Sequence, residues 1–176
     1  MSETKEFKKF NNNINSLLTN LAGAASWSDL LPVFKEMLKL VKTQTKNFNY
    51  SLIKEKITLS KRLAQSLSPE CPGGVHEVVI EIYNIIIQNI LEKNNGKLGD
   101  NLGLYCSGLF PFFSYASKVN KELFIEKLLN SCFLNLEEDE LSLCLPGLLT
   151  SLILGLDDNN EKITTNIYYF FLKYFE

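Results

Sequence analysis

From Val75 to Leu91 the chain reads VHEVVIEIYNIIIQNIL. Val75, Val78, Val79, Ile82, Ile86 and Ile90 recur at steps of three and four, and Tyr83, Ile85, Ile87 and Leu91 carry the stripe almost around a helix. A helix apolar on nearly all sides is stable only when other elements surround it, so the segment predicts its own burial at the centre of a packed domain. Its β-branched residues would also suit a strand. At about 18 residues it exceeds the roughly ten at which strands stop, and Val78, Val79 and Ile80 do not alternate. The reading is a helix. Glu81, Asn84, Gln88 and Asn89 interrupt it, and no apolar run reaches the roughly 18 residues that cross a bilayer.

The same periodicity dominates elsewhere. Phe7, Phe10, Ile14, Leu17, Leu18 and Leu21 form one stripe, ended by Gly23. Trp27, Leu30, Leu31, Phe34, Met37, Leu38 and Val41 form a second. Tyr50, Ile53, Ile57, Leu63 and Leu67 form a third, which stops before Pro69 because a residue preceding proline resists helical angles. After the polar connection Asn94–Asp100, helices are expected over about 107–117, from an Asn120 N-cap through Phe133, over about 140–154, and from about Asn160 onward. No strand survives this reading. The fold class is all-α, with about seven to eight helices.

Four prolines follow a serine by four residues: Ser28/Pro32, Ser68/Pro72, Ser107/Pro111 and Ser142/Pro146. The serines are 40, 39 and 35 residues apart. A serine N-cap with proline at the edge of the first turn suits a helix start. The Ser68 copy reads as a turn, and an earlier start at Glu137–Glu140 would leave Pro146 as a kink. A period near 38 residues, each unit a helical hairpin, predicts an α-solenoid of the HEAT or armadillo kind. The alternative is an irregular bundle. Either way residues 1–176 form one helical segment with neighbours packed antiparallel.

The net charge of −2 argues against a nucleic-acid binder. The charge is unevenly placed. Residues 1–62 carry eleven basic and five acidic side chains, and residues 63–176 carry seven and fifteen. The polar start MSETKEFKKFNNN is not a secretory signal. Cys71, Cys106, Cys132 and Cys144 lack C-x-x-C spacing and read as reduced, mostly buried thiols, with a disulfide pair the less expected alternative.

Lys35, Lys39, Lys42 and Lys46 share one helix face, and Lys54, Lys56, Lys61 and Arg62 follow. Such a strip suits anionic lipid headgroups, a phosphoinositide among them, or an acidic partner; it also suits a merely solvated face. His76 stands alone and reads as a turn or helix-start residue. The run Glu137–Glu140 lacks EF-hand spacing and reads as favourable charge at a helix N-terminus. Gly73-Gly74 has no strand before it and no G-K-S/T after it, so it is no phosphate loop. Phe110, Phe112, Phe113 and Tyr115 read as core, or as a docking surface if exposed. Trp27 reads as a core anchor or a partner hot spot. No residue set calls for a metal, a cofactor or a small-molecule substrate.

Four blocks stand in a telling order: WSDLLPVFKEMLKLV (Trp27–Val41), LSKRLAQSLSPECPGGVHEVVIEIYNIII (Leu59–Ile87), LGLYCSGLFPFFSYAS (Leu102–Ser117) and LCLPGLLTSLILGLDD (Leu143–Asp158). Together they resemble the N-terminal region of the Dopey family of membrane-traffic scaffolds. The chain departs from the pattern in its added Asn and Lys and in its shortness. The aromatic FFLKYF (Phe170–Phe175), with no element after it, fits the N-terminal part of a much larger protein. The resemblance implies helical repeats and a cytoplasmic protein, peripheral on Golgi and endosomal membranes. It implies scaffolding of recycling traffic, with an Arf-exchange-factor-related scaffold and an aminophospholipid flippase as partners, and no catalytic residues. The expected function is a non-enzymatic adaptor. A peripheral module binding anionic lipid through the Lys strip is the second reading. An enzyme with a cryptic helical site, which no His/Asp/Ser constellation signals, is the third.

Overall fold

The computed structural model describes residues 4–24 and 26–175. Residues 1–3 of the polar start and the side chain of Phe175 lie outside the described residues. The α-helices are α1 (Lys5–Gly23), α2 (Trp27–Gln44), α3 (Lys56–Gln65), α4 (Gly73–Lys93), α5 (Asn101–Leu109), α6 (Phe112–Tyr115), α7 (Lys118–Phe124), α8 (Glu138–Leu152) and α9 (Glu161–Phe175). A π-helical turn, Ile125–Asn130, prolongs α7. Among the described residues there is no strand. The protein is all-α, and with α5 and α6 taken as one helix broken at Pro111 there are eight helices among the described residues.

Helix α4 is the centre, as its sequence requires. Val79, Ile80, Ile82, Tyr83, Ile86, Ile87 and Ile90 are fully buried, each contributing about 2 kcal/mol through apolar area removed from water. Helix α2 packs on α4, α4 on α7, and α7 on α9; separately, α1 packs on α3, α3 on α5, and α5 on α8. Alternate helices thus stack into two layers, an order compatible with an α-solenoid of helical hairpins. The side-chain hydrogen bonds between units fit the same period. Asn89 to Thr45 spans 44 residues, Glu140 to Leu98 spans 42, Asn130 to Asn166 spans 36, and Tyr115 to Leu67 spans 48.

Buried polar side chains hold the connections. Asn89 accepts the Tyr50 N–H at 2.8 Å and donates to the carbonyls of Thr45 and Phe48, fixing the α2–α3 loop. Glu140 accepts the Leu98 and Gly99 N–H groups, each at 2.6 Å, fixing the α4–α5 loop. In that loop Asn95, Gly96 and Gly99 have positive φ, so glycine stands where a side chain would strain the backbone.

Several expectations need correction. The third stripe is not one helix. Tyr50–Leu52 is a 3-10 turn, α3 begins only at Lys56, and Ile57 is exposed. The helix expected over 107–117 begins at Asn101 and breaks at Pro111, which has no N–H to continue the ladder. Asn120 is no N-cap; Ser117 is, accepting the Asn120 N–H at 3.3 Å, and Asn120 is buried. The Ser–Pro repeat does not mark caps either. Ser26 caps α2 through a capping box with Asp29, so Ser28 and Pro32 lie within the helix. Ser107 lies within α5, and Ser142 and Pro146 lie within α8.

Candidate binding surface

Helix α2 orients the cationic strip. Phe34, Met37 and Val41 face inward and are fully buried, and a helical repeat of 3.6 then turns Lys35, Lys39 and Lys42 to solvent; Lys46, in the turn just past the helix end, is exposed as well. Lys42 lies 3.7 Å from Glu81 of α4, with more than half of its side chain exposed. Among the described residues no carboxylate pairs with Lys35, Lys39 or Lys46. The remaining members do not extend this ridge. Lys54 lies in the loop before α3, where its N–H donates to Asn11. Lys61 and Arg62 lie on α3, in the other layer. Lys56 is turned inward, bonding the Ser51 carbonyl and Asn101. The structure therefore lines up the three lysines of α2, with Lys46 in the turn just past its end, and disperses the others.

Beside the ridge lies a groove of about 470 Å³ between α2, α4 and α7. Leu38, Val78 and Leu123 form its floor, and Glu77, Glu81, Glu122 and Glu126 rim it. Lys127 bonds Glu126 at 2.9 Å, which holds the Glu126 carboxyl below its ordinary range and raises the lysine. Lys162 approaches Glu122 at 4.0 Å. Such exposed pairs are screened by solvent and exchange readily. The sequence reading missed this groove. Its trace was two i, i+4 glutamate pairs, 77/81 on α4 and 122/126 running from α7 into the π-helical turn.

The other candidates resolve into structure. His76 is buried; its Nε2 meets the Ser68 carbonyl at 3.0 Å, its Nδ1 faces Asn120, and its ring packs edge-on to Phe112 at 5.0 Å. Of the acidic run, Glu137 and Asp139 pair with Lys97, whose ammonium they hold above its usual range. Glu140 turns inward as the loop clamp, a role that charge at a helix start did not suggest. Gly73-Gly74 opens α4. Phe110, Phe112 and Phe113 are core, whereas Tyr115 is half-exposed with its hydroxyl on the Leu67 carbonyl. Trp27 is not a core anchor, being 40% exposed. All four cysteines are free and buried. Among the described residues no group of three or more His, Cys, Asp or Glu could hold a metal ion, and no helix is long and apolar enough to cross a membrane.

Against known proteins, the family model described as "Dopey, N-terminal" matches residues 4–174. Protein DOP1B of Mus musculus is 34% identical over 158 residues, which cover 88% of this chain and 6% of that protein. Protein DOP1B of Xenopus laevis is 33% identical over 155 residues, again 88% of this chain and 6% of the relative. Protein DOP1 of Saccharomyces cerevisiae is 30% identical over 157 residues, 88% of this chain and 9% of the relative. The chain thus spans less than a tenth of these relatives' length. No solved structure matches it.

Proposed function

Because the chain belongs to the Dopey family, matching its N-terminal region, we propose that it is a non-enzymatic scaffold module that works by binding other proteins in Golgi–endosome membrane traffic. Its setting is the cytoplasmic face of Golgi and endosomal membranes. Its partners are an Arf-exchange-factor-related scaffold and an aminophospholipid flippase. The observation that carries the reading is the relief of the α2–α4–α7 layer: a lysine ridge runs beside an acid-rimmed groove with an apolar floor. A surface that alternates in sign and offers apolar anchorage suits a protein with its own charge pattern. A uniformly anionic bilayer laid on the same layer would meet the glutamates of α4 as well as the lysines of α2.

The test is a pull-down of the purified Arf-exchange-factor-related scaffold by this chain, without lipid. Capture that weakens when Leu38 and Val78 are both changed to Asp supports the reading. No capture, with binding only to vesicles, overturns it. The second reading is a peripheral membrane module, favoured by the unpaired ammonium groups of Lys35, Lys39 and Lys46. Each basic group near an anionic leaflet contributes about 1 kcal/mol. Changing Lys35, Lys39, Lys42 and Lys46 to Glu should abolish flotation with phosphoinositide-containing vesicles; unchanged flotation removes the ridge from that account.

A further inference from the structure

Trp27 and Arg62 are the only tryptophan and the only arginine in the chain, and the fold sets both on one hollow of about 310 Å³. Leu21 of α1, Leu30 and Phe34 of α2, and Gln65 of α3 complete the parts that matter. Phe34 is fully buried and gives an apolar floor, while Trp27 leaves 40% of its surface to solvent. A residue of this size and apolarity is normally well covered. None of Lys35, Lys39, Lys42 and Lys46 lines the hollow.

Among the described residues Arg62 is its one charged wall residue. Arg62 is half-buried as a residue, and its guanidinium spends one N–H on Gln65 Oε1 at 3.2 Å. Among the described residues no carboxylate lies within ion-pair distance of it, although Lys42, Lys97, Lys121, Lys127 and Lys162 all have one. A guanidinium carries five donors in a plane, a fork that matches a carboxylate in two parallel bonds. Here most of that fork is unspent beside an uncovered indole and an apolar floor. Lys61, exposed on the neighbouring position of α3, adds to the positive field. Tryptophan and arginine are also the side chains that most often dominate binding energy at protein interfaces.

We propose that this hollow docks a partner segment that presents a carboxylate next to an apolar side chain. The apolar side chain packs against Trp27 and Leu30 over Phe34, and Arg62 grips the carboxylate. The inference rests on the reading of the chain as a protein-binding module and assigns that module a second face, with a partner chemistry opposite to that of the acid-rimmed groove.

A random-peptide display library selected on the intact chain, with counter-selection on Trp27→Ala, tests it. Enriched peptides should carry Asp or Glu within two positions of a Leu, Phe or Met. A synthetic enriched peptide should shift the emission of Trp27, the chain's sole tryptophan. Arg62→Lys, which keeps the charge but loses the fork, should weaken its affinity about tenfold. Arg62→Glu should remove binding, with the helical circular-dichroism signal and melting temperature of both Arg62 variants unchanged. The proposal is overturned by three outcomes: no enrichment over the counter-selection, enriched peptides without an acidic residue, or affinity indifferent to Arg62→Lys and Arg62→Glu. It is equally overturned if mixed phosphatidylcholine and phosphatidylserine vesicles shift Trp27 emission and the peptides do not. Peptides bound equally by wild type and Trp27→Ala would eliminate the hollow while leaving the chain a binding module.

Discussion

Glu140 shows how much one buried side chain can hold. Its two oxygens each accept a backbone N–H at 2.6 Å, joining the start of α8 to a loop 41 and 42 residues earlier. Charge-assisted bonds of this kind exceed neutral ones, and a buried N–H left without an acceptor costs about 1–3 kcal/mol. Glu140→Gln keeps one acceptor and turns an amide donor toward the other N–H, so it should lower unfolding stability by about 2 kcal/mol; Glu140→Ala should lower it by about 3 kcal/mol. Chemical denaturation measures both. The same variant can be read at a buried thiol. Burial pushes the Cys132 thiol up to about 12 and that of Cys144 up to about 11, so almost no thiolate exists at neutral pH. Iodoacetamide should therefore modify native Cys132 only when the protein opens. Since 1.4 kcal/mol is a tenfold change, Glu140→Ala should accelerate that labelling about a hundredfold; an unchanged rate would mean that Cys132 is reached by local motion independent of this clamp.

Between elements, α3 and α5 cross closely at Gly108. A methyl group added at Gly108 would lie 2.2 Å from Ala64 Cβ and 3.3 Å from its Cα. The backbone cannot retreat as a flexible side chain would, so Gly108→Ala should cost about 2 kcal/mol by overpacking. Ala64→Gly in the same chain should recover part of the loss, which thermal melts of the single and double variants will show. That crossing also marks how far the sequence could be read. Helices α1, α2 and α4 were legible from periodicity because their apolar stripes are long and their neighbours only confirm them. Tyr50 to Ile57 misled because the spacing continues through a loop. That loop is held by Asn89 and Asn11, which act across 39 and 43 residues and leave no mark in local spacing. The pause at Pro111 was open to view, yet the serine–proline pattern made it resemble a helix start. Among surface features, the α2 ridge followed from helical spacing alone. The meeting of Trp27 with Arg62 depends on α1, α2 and α3 converging, which no single helix reveals.

At the scale of the molecule, the side-chain hydrogen bonds that bridge helices reach from 36 to 48 residues along the chain, as Asn130–Asn166 and Tyr115–Leu67 illustrate. Each helix is joined chiefly to helices one or two places away along the chain. The Ser–Pro period of 40, 39 and 35 residues agrees with this even though its serines cap nothing. Cohesion that runs chiefly between one helical pair and the next along the chain gives the molecule the mechanics of a coil spring. Stretched between its ends in an optical trap, it should lengthen in a series of small yielding events rather than in one rupture. A ligand gripping two adjacent pairs should stiffen the interval between them and leave the rest as compliant as before.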